Sequence, residues 1–277
     1  MKLANVGGRA ALVLSDGDAM TADIASISRG RFGPDLMSVY DDWPAFARFA
    51  AGVTEGVAPL DEADLGCPVA PRQVFAIGVN YRAHAEESGA ALPKVPATFT
   101  KFPACLSGPF SEIVLSTDSV DWEVELIAVM GPRAEHVAEA DAWNHVAGLA
   151  VGQDVSDRRL QFAAAEQWSL GKSRPGYGPV GPWVVTPDEF ANPDDLAIGC
   201  SVDGEMMQDA RTSDLVFSVP RLVAALSAIV PLLPGDIIFT GTPAGVGFAR
   251  RPPRYLRPGQ VVESWIEGIG TIRNLCR

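Results

Sequence analysis

Three acidic side chains stand at alternate positions in Val120-Asp121-Trp122-Glu123-Val124-Glu125-Leu126-Ile127-Ala128-Val129-Met130. Successive side chains on a strand face opposite ways, so Asp121, Glu123 and Glu125 share one face and Trp122, Val124 and Leu126 the other. The run then continues apolar, as a strand entering a core does. Carboxylates carried together into a core repel one another and resist desolvation. A hard divalent cation, Mg²⁺ or Mn²⁺, relieves both problems because it takes oxygen ligands. The competing reading is an acidic face on a solvated edge strand.

Other residues could join such a site. Asp154 stands where the β-like run 145–151 stops, in Gly152-Gln153-Asp154-Val155-Ser156. Strand ends are common places for ligands, although an Asp there also caps turns and helices. His84 and Glu87 are three apart and share a face if their segment is helical. A carboxylate beside an imidazole raises its basicity and fixes its tautomer, which suits a general base; a polar surface helix would carry the same pair. Lys172 follows Gly171 and reads either as a solvated lysine or as a compact cation for an oxyanion. The loop 241–247, Gly-Thr-Pro-Ala-Gly-Val-Gly, lets backbone approach a ligand closely but lacks the Gly-Lys-Ser/Thr of a phosphate loop. A tight turn would account for its glycines equally well.

These residues need a scaffold, and the chain is long enough to provide one. Its 277 residues are 47% hydrophobic and 20% charged, enough for a sizeable core. The 27 glycines and 22 prolines favour many turns and a β-rich body. Short apolar runs at 74–79, 124–130, 146–151, 180–185 and 237–240 read as buried strands. Residues 10–14 and 19–27 flank an Asp16-Gly17 hairpin turn. Helical spacing covers 42–53, and a second helix is expected over 219–232, opened by Ser218 with Pro220 in the first turn. The polar helix 157–166 has Ser156 as a candidate cap. A polar, proline-bounded stretch at 61–68 places a boundary there. The expectation is an α+β, strand-rich protein with a small N-terminal α+β domain, 1–66, and a main domain, 67–277. Net charge is −12 and no basic patch is visible, which disfavours nucleic acid and anionic membranes. No apolar run approaches the ~18 residues that span a bilayer. The four cysteines are scattered, and no signal-peptide pattern opens the chain. A cytoplasmic protein is expected.

In order, the motifs resemble those of the fumarylacetoacetate hydrolase family, in its acylpyruvase and 2-hydroxyhepta-2,4-diene-1,7-dioate isomerase-like branch. Gly78-Val79-Asn80-Tyr81-Arg82-Ala83-His84-Ala85-Glu86-Glu87 resembles the family's opening motif. Asp121-Trp122-Glu123-Val124-Glu125-Leu126 is similar to its metal strand, and Gln153-Asp154-Val155-Ser156 to its next segment. Gly171-Lys172-Ser173, Gly181-Pro182-Trp183, the loop at 241–247 and Ile266-Glu267-Gly268-Ile269-Gly270 follow in family order, across residues 71–277.

The resemblance implies a mixed β-roll or barrel main domain and a homodimer. It implies that Glu123, Glu125 and Asp154 hold one Mg²⁺ or Mn²⁺ per subunit, and that His84, oriented by Glu87, is the base on a segment that closes over the substrate. Lys172 would face an enolate oxygen, and Tyr81, Gly241 and Thr242 would contact substrate. The implied substrate is a small keto acid, an acylpyruvate-like 1,3-diketo acid whose C–C bond is hydrolysed. Isomerisation, hydration or decarboxylation of related oxo acids use the same site. A catalytically silent metal-binding relative is the reading from another class. The sequence departs from many relatives after Lys172, where Ser173-Arg174-Pro175 replaces an aromatic residue and an acid. Arg174 is therefore a candidate for a distal substrate carboxylate, with a surface arginine as the alternative. Arg159 also stands where relatives often carry an acid.

Overall fold

The computed structural model describes residues 1–14, 19–163 and 167–277. The expected turn at Asp16-Gly17 lies outside them, as does the end of the helix expected to reach residue 166. The fold is α+β and strand-rich. One sheet of 12 strands has ten of them on an open path from Ala58–Pro59 to Ala97–Thr100 and two paired off it, mixed rather than closed into a barrel. A second sheet of four strands is made by Ala197–Val202, Glu205–Arg211, Val261–Ile266 and Gly270–Leu275.

The N-terminal strands Lys2–Val6, Arg9–Val13 and Met20–Asp23 form an antiparallel meander in the large sheet. Lys2–Val6 pairs with Gly178–Val185, so this edge continues directly into the rest of the sheet. The helix Trp43–Ala50 packs here, with the Asp42 carboxylate accepting from the Ala45 amide at 3.2 Å. Such a cap typically contributes about 1 kcal/mol.

The central strand is Val124–Met130, every residue of it buried. Val124, Leu126, Ala128 and Met130 enter one apolar cluster, shared with the second sheet, while Ile127 and Val129 enter the other. Each fully buried Val, Leu or Ile stabilises by about 1.5–3 kcal/mol. A one-residue slip would exchange both faces, so the register is strongly held. Its neighbour Val146–Gln153 is antiparallel, with Val124 opposite Gln153 and Glu125 opposite Gly152. That register sets Asp154 beside Glu123, and the Asp154 amide donates to the Glu123 carbonyl at 2.9 Å.

Three expected elements differ. The run 120–130 is not one strand: Val120–Asp121 pairs with Ser156–Asp157, and regular pairing resumes only at Val124. Asp121 therefore does not join Glu123 and Glu125. The second helix is Val219–Ser227, capped by Ser218 as expected but shorter than 219–232. Pro231, which has no amide hydrogen and disfavours a helical residue before it, ends the helical stretch early. The helix after Asp154 is Arg158–Ala163, and Asp157 rather than Ser156 caps it, accepting from the Leu160 amide at 3.1 Å.

Candidate metal centre

The sheet end carries the site. Glu123, Glu125 and Asp154 are buried and each offers an oxygen within 4.8 Å of the others. Glu125 Oε2 accepts from the Gly241 amide at 2.7 Å. Burial, then the charges of Asp154 and Glu123, pushes the Glu125 carboxyl well above its usual range. Three clustered buried carboxylates, one of them forced toward its neutral form, make a donor set that a divalent cation fits: all hard oxygens, on rigid backbone, beside open space. Glu123, Glu125 and Asp154 are the residues that could hold it.

Around this set lies a ring of buried cations. Lys172 Nζ donates to Glu123 Oε2 at 2.7 Å, Asp154 Oδ2 at 2.5 Å and Ser156 Oγ at 2.9 Å. Burial works against its charge, but Asp154 and Glu123 prevail and raise its pKa. Arg158 Nη2 lies 2.6 Å from Glu123 Oε1 and 2.8 Å from Asp121 Oδ2. Burial raises the Glu123 carboxyl, yet Arg158 and Lys172 outweigh it and hold the group down at about 2. Asp121 anchors this arginine and also accepts from the amides of Trp122, Gly247 and Phe248 at 2.8–3.0 Å. Those four donors explain why Asp121 turns away from the carboxylate cluster.

Sequence reasoning missed three residues here. Lys101 is fully buried and donates to Asp154 Oδ1 at 2.6 Å, to the Tyr177 carbonyl at 3.0 Å and to the Lys172 carbonyl. A lone lysine within Ala97-Thr98-Phe99-Thr100-Lys101-Phe102 was the available signal, because apolar strands seldom bury an unpaired charge. Arg158 and Gln161 line the same cavity and bond to each other at 2.8 Å. They stand three apart on the helix Arg158–Ala163, which puts both on one face.

A cavity of about 190 Å³ opens from the carboxylates. His84, Lys172 and Thr242 line it with Glu123, Glu125 and Asp154. His84 sits on the helix Arg82–Ser88, which ends on left-handed Gly89. Its Nδ1 meets Glu87 Oε1 at 2.8 Å, and Glu87 Oε2 accepts from the Gly245 amide at 2.9 Å. The dyad is thus formed and tied to the glycine loop, with the other ring nitrogen, Nε2, left for the cavity. The strand before it, Val74–Gly78, is followed by Val79 with φ of 56°, a costly conformation for a β-branched residue. The Asn80 amide holds that turn by bonding Phe217 through both its oxygen and its nitrogen, and Thr240 as well.

Of four expected substrate contacts, Gly241, Thr242 and Arg174 have other partners, and the buried Tyr81 hydroxyl has none. The Gly241 amide is spent on Glu125. Thr242 faces the cavity, but its hydroxyl donates to the Val124 carbonyl at 2.9 Å and accepts from Gln208 at 2.7 Å. Tyr81 is buried, its hydroxyl lies outside the cavity lining, and burial, then Glu125, raises its pKa. Arg174 is 46% exposed, lies 3.6 Å from Asp157 and does not line the cavity. No helix among the described residues is long and apolar enough to cross a membrane.

Known proteins share this architecture. The model of the fumarylacetoacetate (FAA) hydrolase C-terminal domain matches residues 73–277. The human mitochondrial protein named oxaloacetate tautomerase FAHD2A is 42% identical over 232 residues, 82% of this chain and 74% of that one. A crystal structure from Mycobacterium smegmatis, provisionally named HpcE, superposes with a TM-score of 0.94 at 46% identity, covering 100% of this chain and 99% of that one. The fumarylacetoacetate hydrolase of Exiguobacterium antarcticum superposes at 0.84 with 31% identity, covering 100% and 99%. A family model spanning most of the chain, with relatives of this identity and coverage, means that the chain belongs to the fumarylacetoacetate hydrolase family.

Proposed function

We propose that the protein is a Mg²⁺- or Mn²⁺-dependent enzyme that forms and quenches the enolate of a small 2-oxo acid, with keto–enol tautomerisation as its reaction. The observation that carries this is the His84–Glu87 pair at 2.8 Å, set on the same cavity as Glu123, Glu125 and Asp154. The tautomerase name of the human relative supports it. A divalent cation held by the three carboxylates would supply Lewis-acid stabilisation of the enolate oxygen. His84 Nε2, with the ring held by Glu87 at Nδ1, takes the proton from C3 of the substrate. Returning it to oxygen gives the enol, and the reverse order gives the keto form. Lys172 sits beside the carboxylates, and its ammonium adds positive charge near the developing oxyanion.

The second reading is hydrolysis of an acylpyruvate. The His84–Glu87 dyad favours it, because the same nitrogen can take a proton from water attacking the distal carbonyl. The C3–C4 bond then breaks, its electron pair passes into the pyruvate enolate, and C3 is protonated. Four cysteines without a disulfide suit the cytoplasm, and a homodimer is the expected assembly.

A single panel separates the readings. With Mg²⁺ or Mn²⁺ present, enol-oxaloacetate and an acylpyruvate are followed by loss of enol absorbance and by pyruvate release. Faster ketonisation without pyruvate is the expected outcome. Pyruvate release would transfer the assignment to the hydrolase, and no acceleration of either would sink both.

A further inference from the structure

We infer that the outer part of the cavity takes an apolar tail on its 2-oxo acid, an alkyl or aryl group, and disfavours a tail ending in a second carboxylate. This rests on the 2-oxo acid reading above and concerns the tail beyond the fourth carbon, so oxaloacetate falls outside it.

Beyond the carboxylates the walls are Ile77, Val79, Phe99, Phe162, Trp168 and Phe248. Phe99 meets Trp168 edge-on with ring centres 5.5 Å apart, and Phe162 meets Phe248 in the same way at 5.6 Å. Trp168 is seated by the backbone: a methyl group added at Gly78 would fall inside its ring. Two aromatic pairs, one resting on a strand end, form a built apolar wall.

A terminal carboxylate would need a cation there. Arg158 and Lys172 are the cations among the described lining residues. Lys172 already uses its three donors on Glu123, Asp154 and Ser156. Arg158 is committed to Asp121, Glu123 and Gln161, and Phe248 covers its face at 4.4 Å. Arg174 turns to Asp157 instead. A carboxylate reaching these walls loses water and meets one unpaired hydroxyl, Ser88 Oγ, but no uncommitted cation, whereas methylene groups gain contact.

The test uses two six-carbon 2-oxo acids, 2-oxohexanoate and 2-oxoadipate, which differ in a terminal methyl against a carboxylate; neither has a C4 carbonyl for hydrolysis, and both return to the keto form after enolisation, so each persists during the measurement. Binding to the Mg²⁺-loaded protein is measured by calorimetry. Expected is about tenfold or more tighter binding of 2-oxohexanoate, the sense given by an unpaired buried charge. The half-exposed Phe162 is then replaced, Phe162→Arg, which should narrow or reverse that order. Equal or tighter binding of 2-oxoadipate by the unaltered protein overturns the inference, as does failure of both ligands to bind. An order unmoved by Phe162→Arg overturns the placement of the tail. If the binding order holds while the substrate panel shows no turnover, the reaction assignment falls and the tail preference stands.

Discussion

At the floor of the cavity Glu123, Asp154, Lys172 and Arg158 are buried, and each holds at least two charged partners or amides. At its mouth Phe162 is 52% exposed and the walls are ring edges touching rings. The floor is a network in which each group fixes the next, so losing one member leaves others buried without compensation. The mouth is held by dispersion and area, which tolerate changes of shape. Reaction type therefore resides in the floor and substrate range in the mouth.

The comparison can be broken at three depths. The largest effect is expected from Glu125→Ala, which removes a carboxylate from the oxygen set: turnover should vanish and calorimetry should show loss of Mg²⁺ binding. Retained cation affinity would break the assignment of the floor. Next is His84→Ala, expected to cut kcat by roughly 10²–10⁴-fold, the usual contribution of a positioned base. Calorimetric Mg²⁺ affinity should stay near wild type, since His84 is not among the three clustered carboxylates. A variant that turns over normally would remove the base from the mechanism. The smallest effect belongs to Arg174→Ala, where KM should change by less than about twofold for monoacid and diacid alike, as for an exposed ion pair. A selective rise for diacids would restore Arg174 to the site and blur the division between floor and mouth.

Much of this was legible from residue order alone. Alternation on a strand put Glu123 and Glu125 on one face, with a solvated edge as the rival, and it was the family resemblance that singled them out together with Asp154. The His84–Glu87 spacing needed only a helix, which Arg82–Ser88 provides. Asp121 was misplaced because alternation holds only while pairing continues, and pairing lapses at Trp122 and Glu123. Gly241 and Thr242 had suitable donors, but their nearest acceptors, Glu125 and Val124, lie more than a hundred residues earlier. Lys101 was hidden for the same reason: its acceptors Asp154 and Tyr177 are distant in the chain. Long-range partners of polar groups are what local patterns cannot supply, whereas buried faces and helix caps are written locally.

One consequence of the floor concerns electroneutrality. Four buried carboxylates, Asp121, Glu123, Glu125 and Asp154, stand with three buried cations, Lys101, Arg158 and Lys172. A cation on Glu125 would displace the proton that burial favours there, and the four carboxylates then exceed the three cations by one charge. A doubly charged ion inverts that excess, and a ligand bearing a single carboxylate returns it to zero. The protein interior is thus tuned to the sum of two guests rather than to either one, so binding of each should strengthen binding of the other.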